Sequence, residues 1–287
     1  RKDNPYILSK DLIIMEVIKN VANNGWDRPI YFANNMQKDN YLNLMDFFRV
    51  EGLAYRVIPL KKSEKTLNDR YTFGTLRPDI LKRNITEKFL YTGLNDPDVY
   101  FDEHIRNLVI NNYRNNFLRL AAAYADDYSI LKNQIAEIDS LMLLPQSDTS
   151  ALGHSRLAKA AKMQLHREQA AEAIDFSREV MPTSVEPQGN LYLGLQQAQI
   201  LETLELNEQA DREYSEVAEV GFEQLADDVK LGQPIDQNNI SMQIILLAIR
   251  HAIENGDEAK AQEIAQRIED MSGSPIGRMV IEQLKSQ

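Results

Sequence analysis

Five residues near the amino terminus, Trp26, Arg28, Tyr31, Tyr55 and Arg56, have the side chains of a binding pocket rather than of a reaction centre. Arginine offers a planar fork of donors that matches phosphate or carboxylate, and aromatic rings stack on sugars or bases. A plainer reading weighs more: core aromatics, with arginines forming ion pairs at strand ends. Around them stand no nucleophile, no metal-ligand cluster and no phosphate-cradling glycine loop. The chemistry expected of this group is recognition, not bond-breaking.

Elsewhere the reactive residue types are dispersed. The histidines, His104, His154, His166 and His251, show no two-histidine helical spacing, so surface or packing roles are expected. Asp96, Asp98, Asp102 and Glu103 form an acidic cluster that lacks the glycine and closing glutamate of a calcium loop, and turn formation and helix-start charge explain it. No G-x-S-x-G, Walker-type loop or Gly-x-Gly after a strand is present. No cofactor is expected, and independent catalysis by this chain is not. Lys61, Lys62, Lys65, Arg70, Arg77, Lys82 and Arg83 make residues 49–88 the one locally basic stretch, with 10 basic against 5 acidic residues. They could face anionic headgroups or form a merely solvated loop.

The 287 residues suffice for two unequal domains with ordinary cores, and 43% hydrophobic and 26% charged residues describe a folded chain. Without cysteine there is no disulfide framework, thiolate metal site or cysteine catalysis, which suits either a cytoplasm or a bacterial periplasm. No apolar run approaches the roughly 18 residues of a spanning helix. Arg1-Lys2-Asp3-Asn4-Pro5 reads as a linker, so the chain is expected to be cut from a longer protein. Residues 1–127 hold 19 basic against 17 acidic residues, and residues 128–287 hold 13 against 26. The acidic part is a poor match for nucleic acid.

The elements that position the five residues follow from periodicity. Ser9 can cap a helix with Ile14, Val17, Ile18 and Val21 on one face, ended by Asn23-Asn24-Gly25. Pro29 to Ala33 reads as a strand. Asp39 can cap a second helix with Leu42, Met45 and Phe48 inward, stopped by Gly52, and Leu53 to Leu60 as a strand. Strand, helix, strand implies two parallel strands with a right-handed crossover. An irregular loop from Lys61 to Arg77 precedes a helix from Pro78 to Tyr91, a turn at Asn95-Asp96-Pro97-Asp98 and a long helix from Tyr100 to Ala125.

From that long helix onward the chain reads as helix pairs over 100–144, 150–181, 190–225 and 239–271. Ile138 to Pro145 is echoed by Ile174 to Pro182, with the prolines 37 positions apart. Second helices open at Glu168-Gln169-Ala170, Glu208-Gln209-Ala210 and Asp257-Glu258-Ala259, after polar turns at His166-Arg167, Asn207 and Asn255-Gly256. A helix-pair period of about 34–40 residues is that of a tetratricopeptide-like solenoid, and a generic helical bundle shares the stripes. The expected fold is mainly α: a small α/β unit over residues 1–95, then tetratricopeptide-like helical hairpins over 96–287.

The ordered blocks W-D-R-P-I-Y-F-A, Y-L-N-L, E-G-L-A-Y-R-V-I-P, V-Y-F-D-E and Y-R-N-N-F-L-R-L-A over residues 8–125 resemble the DUF2723 proteins of Bacteroidetes. Asn24-Gly25 before Trp26 and the basic loop after Pro59 depart from that family's pattern. The family is similar to protein O-mannosyltransferases, with a multi-pass membrane region of the GT-C type followed by a soluble tail bearing tetratricopeptide-like repeats. The resemblance implies that this chain is such a tail on the periplasmic side of the inner membrane. It implies as partners its own upstream membrane domain and a protein partner or acceptor held in the helical groove, and no nucleic acid. The catalytic carboxylate belongs to the membrane region, so no catalytic residue carries over. The rival expectation is a free-standing repeat adaptor unrelated to glycosylation. A soluble carbohydrate-active enzyme is a third class, requiring two close acids in a cleft.

Overall fold

The tight turn at Gly52, whose φ of 121° suits glycine, decides the sheet. It folds β2 (Phe48–Val50) back on β3 (Ala54–Val57) as an antiparallel hairpin, pairing Phe48 with Val57 and Val50 with Tyr55. β1 (Tyr31–Ala33) joins the other edge of β3, antiparallel, and β4 (Thr75–Leu76) joins β2 in parallel, giving the order β1-β3-β2-β4. These elements belong to a computed structural model that describes residues 7–61, 74–96, 98–145, 148–182, 191–232, 239–273 and 275–285.

The sheet departs from the expected pair of parallel strands. Between β1 and β3 there is no crossover helix, only 3₁₀ turns at Lys38–Tyr41 and Met45–Phe47 and the strand β2. Leu42 and Asn43 take left-handed backbone, with φ of 51° and 60°, which stops any α-helix there. Phe48, expected at the inward end of a helix, instead opens β2. Burial alternates along that strand, with Phe48 and Val50 inside and Arg49 not. Gly74 secures β4: with φ of 73° it lies so close to Phe48 that an added Cβ would sit 2.0 Å from the Phe48 carbonyl oxygen.

Before the sheet, α1 (Ser9–Asn23) starts one residue earlier than a Ser9 cap implies. The Leu8 N–H is taken by the Asp11 carboxylate at 3.0 Å, and Val17 is exposed. After the sheet, α2 (Pro78–Arg83) runs into a π turn at Asn84–Lys88, so the helix stops short of Tyr91. The short α3 (Glu103–Ile105) passes through a second π turn, Arg106–Ile110, into α4 (Asn111–Met142). α4 therefore continues well past Ala125, the end expected from its stripe. It pairs with α5 (Thr149–Val180), a single uninterrupted helix with no turn at His166-Arg167. His166 is buried there, its ring stacked 5.6 Å from Tyr124.

The molecule divides into two compact units, Arg1–Glu186 and Pro187–Gln287. In the first, Phe32, Tyr41, Phe48 and Tyr55 form a closed aromatic cluster with ring centroids 5.1–6.1 Å apart on the inner face of the sheet. Arg119 of α4 lies buried against Tyr55 and Tyr41, which links helix to sheet. Burial pushes the Tyr41 hydroxyl up to about 12, and it donates to the Ala33 carbonyl. Residues Asn116 to Ala125 are buried without a break, because α4 is covered on more than one side. The Arg114 guanidinium closes the base of the hairpin on the Met181 carbonyl.

The second unit stacks two hairpins, α6 (Leu191–Thr203) with α7 (Asn207–Lys230) and α8 (Ile240–Glu254) with α9 (Glu258–Ser272), and α10 (Ile276–Lys285) packs on α9 and α8. Both turns have the same build. A left-handed residue, Glu205 or Gly256, is followed by an N–H that reaches five residues back, Leu206 to Leu201 at 2.9 Å and Asp257 to Ala252 at 2.8 Å. The pairs at 190–225 and 239–271 are thus present, whereas 150–181 is one helix that pairs with α4. Corresponding helices start 49 and 51 positions apart, at Leu191 and Ile240 and at Asn207 and Glu258, a longer period than the expected 34–40. The whole is mainly α, with a small sheet-bearing part followed by stacked helical hairpins.

Candidate functional site

The open face of the sheet collects what the aromatic face leaves over. Because side chains alternate, Tyr31, Arg56, Arg49 and Thr75 stand in one row across β1, β3, β2 and β4, paired Tyr31 with Arg56, Arg56 with Arg49 and Arg49 with Thr75. Two guanidinium groups directly opposite one another repel, so a carboxylate must stand between them. Glu51 supplies it. Its Oε1 accepts from Arg49 Nε at 2.8 Å and Nη2 at 2.5 Å, its Oε2 accepts from the Tyr31 hydroxyl at 2.9 Å, and Arg56 Nη1 lies 3.8 Å away. The Tyr31 hydroxyl is pushed up by burial first, then by its bond to Glu51 and that carboxylate's charge.

Among the described residues, two cations against one anion leave this group with one positive charge. Arg49 is committed to Glu51, while Arg56 and Tyr31 are the more exposed pair, 36% for the arginine side chain and 48% for the tyrosine. The arrangement suits holding an oxyanion or a polar ring.

Of the five residues expected to act together, the structure brings Tyr31 and Arg56 side by side. Tyr55 is on the opposite face, inside the aromatic cluster and stacked on Phe48. Trp26 closes the end of α1 with left-handed backbone, φ 61°, its N–H bonded to the Val21 carbonyl, and Arg28 is exposed in the segment that leads to β1. Arg49 and Glu51 were not among the expected residues. The signal for them is the alternation Phe48-Arg49-Val50-Glu51, concealed by its helix-like neighbours.

The basic stretch is largely neutralised where it is described. Lys61 faces Asp46 at 3.7 Å, Arg77 chelates Asp79, and Lys82 reaches Glu172 at 3.2 Å. Lys62, Lys65 and Arg70 lie outside the described residues. Asp96 accepts from the Asp98 N–H and Asp102 from the Ile105 N–H, so both acids shape the backbone. Among the described residues no group of three or more His, Asp or Glu is arranged to hold a metal ion, and no helix is long and apolar enough to cross a membrane.

One polar cluster lies in the second unit. His251 is 3% exposed, with Nδ1 2.8 Å from Glu202 Oε1 and Nε2 2.7 Å from Asp211 Oδ1. Its ring is stacked 4.2 Å from that of Tyr214, whose hydroxyl donates to Glu202 Oε2 at 3.1 Å. Nothing in the spacing of residues 202, 211 and 251 announces this contact.

No curated protein and no solved structure matches the chain. The segment that carries Tyr31, Arg49, Glu51 and Arg56, from residue 2 to residue 75, matches the family described as TMEM260-associated domain 2.

Proposed function

We propose that this chain is a non-catalytic, periplasmic carboxy-terminal region of a multi-pass membrane glycosyltransferase-like protein, whose helical hairpins take a protein partner or acceptor. The observation that carries the proposal is the match of residues 2–75 to TMEM260-associated domain 2, a domain linked to protein O-mannosyltransferase-like proteins. The open sheet face supports it by offering the recognition groups Tyr31 and Arg56. The stacked hairpins support it because such arrays present extended surfaces for chains rather than enclosed cavities for small substrates. In this reading the α/β part docks beside the membrane region, and the DUF2723 resemblance describes the parent protein.

The test is deletion of this region from the parent protein in its own cells, followed by lectin blotting of the envelope proteins and protease access to the region in spheroplasts. Loss or truncation of glycoproteins, with cleavage from the periplasmic side, is the expected outcome. Unchanged glycoproteins, together with capture of a defined complex by the region, would transfer the assignment to a free-standing adaptor.

A further inference from the structure

The strongest unassigned feature is the buried histidine of the second unit. Each ring nitrogen of His251 lies within hydrogen-bond distance of a carboxylate oxygen, and ionised carboxylates only accept. A neutral imidazole carries one N–H and satisfies one of the two. Both carboxylates receive a hydrogen bond at once only from the doubly protonated ring. Glu202 is on α6, Asp211 on α7 and His251 on α8, so one imidazolium ties the first hairpin to the second.

We propose that His251 is a proton-operated clasp between the α6–α7 hairpin and α8, closed when the imidazole is charged and loosened when it is neutral.

Charged and titratable groups approach the ring and its carboxylates from four helices. From α6, Glu202 accepts from the ring and from the Tyr214 hydroxyl. From α7 come Asp211 and the stacked Tyr214. On α8 itself, the Asn255 amide just past the helix lies 3.0 Å from Nε2, and Arg250 is paired with Glu254 at 2.7 Å. From α9, Lys260 Nζ reaches the Asp211 carbonyl at 3.4 Å.

The rest of the α7–α8 contact makes this end the one free to open. Midway, Gly221 brings the helices together, an added Cβ there meeting Ile245 at 3.0 Å. At the far end, Asn239 donates to Asp228 at 2.8 Å and Ser241 to Gln224 at 3.1 Å. Apart from Asp228, which accepts from the uncharged Asn239, those contacts are neutral or apolar, so losing the His251 proton opens one end and leaves the other shut.

The direction of the pH response follows. Burial alone pulls the His251 pKa down, and the hydrogen bonds and charges of Glu202 and Asp211 outweigh it, so the net displacement is upward from 6.5. Its stabilising contribution is fully present below that ordinary value and is lost as pH rises through the raised one. Glu202 is displaced downward from 4.5, chiefly by its bond to His251, so its contribution is lost on strong acidification. The clasp is shut in the mildly acidic to neutral window between them.

The experiment uses the whole chain. An imidazole NMR titration is run on the chain, E202Q and D211N, with hydrogen exchange over residues 204–214 and 248–258 at several pH values, corrected for intrinsic rates, on the same proteins and H251Q. The expected result is a His251 midpoint above that of a histidine model peptide, lowered in each carboxylate variant. Exchange at these turns should accelerate several-fold as pH passes that midpoint, a step absent from H251Q. A midpoint at or below the peptide's, or corrected exchange that does not change with pH in the unsubstituted chain, would overturn the proposal. If H251Q does not fold, the midpoints of E202Q and D211N decide the matter alone.

Discussion

Glu51 is one carboxylate serving three donors, and its position explains why two arginines can face each other across β2 and β3. Its side chain is only 9% exposed, so its loss leaves Arg49 short of a partner in a half-buried site. Glu51→Gln is expected to lower stability by about 1–3 kcal/mol, read by denaturant titration, because an amide keeps the shape but withdraws the charge. Arg56→Gln should cost less than about 1 kcal/mol, since its 3.8 Å contact is partly exposed. Equal losses for the two variants would show that the carboxylate is not the organising group. At this scale the sequence offered Tyr31 and Arg56 by residue type alone. Their adjacency depends on the register of β1 on β3, and Tyr55 shows that one position's shift moves a side chain to the other face.

Elements were legible where the chain punctuates them. The turn before α9 carries Asn255-Gly256 and α7 opens at Asn207, and both hairpins form where they were expected. The turn expected at His166-Arg167 had polarity but neither glycine nor proline, and with no breaker α5 runs through while His166 turns inward onto Tyr124. β2 went unseen for the opposite reason: Met45-Asp46-Phe47-Phe48 imitates a helical stripe, yet Leu42 and Asn43 have already left the right-handed region. The start of α5 is more clearly signed, because Asp148 accepts from the N–H groups of Ser150 and Ala151 at 3.2 and 3.1 Å. Asp148→Ala should cost about 1 kcal/mol. The loss should appear as faster hydrogen exchange confined to the first turn of α5; exchange unchanged there would mean that packing on α4 alone holds the helix end.

Over the whole molecule, charge follows the two compact units more closely than it follows the sheet and helices. Residues 1–186 carry 25 basic and 25 acidic residues, and residues 187–287 carry 7 and 18. The net charge of −11 therefore resides entirely in the second unit. Its exposed pairs, such as Arg267 with Glu219 at 2.5 Å, offset little of that repulsion, since surface bridges are worth about 0–1 kcal/mol each. Raising salt from about 20 to about 300 mM, which shortens the screening length several-fold, should increase hydrogen-exchange protection in α6 to α9 and change the first unit less. A fall in protection would mean that specific ion pairs outweigh the general repulsion.

The unbroken α4–α5 hairpin has a mechanical consequence. At about 1.5 Å per residue, the helix from Arg119, where α4 touches the sheet, to its end at Met142 spans about 35 Å. Arg114 clamps the base of the pair, and Arg156 with Asp139 and Lys159 with Gln134 brace it further out. The hairpin is thus a stiff spacer. A partner gripping Leu143 and Leu144, 85% and 55% exposed at its tip, would be held at a fixed standoff from the sheet, with the spacer's length rather than any pocket setting the distance.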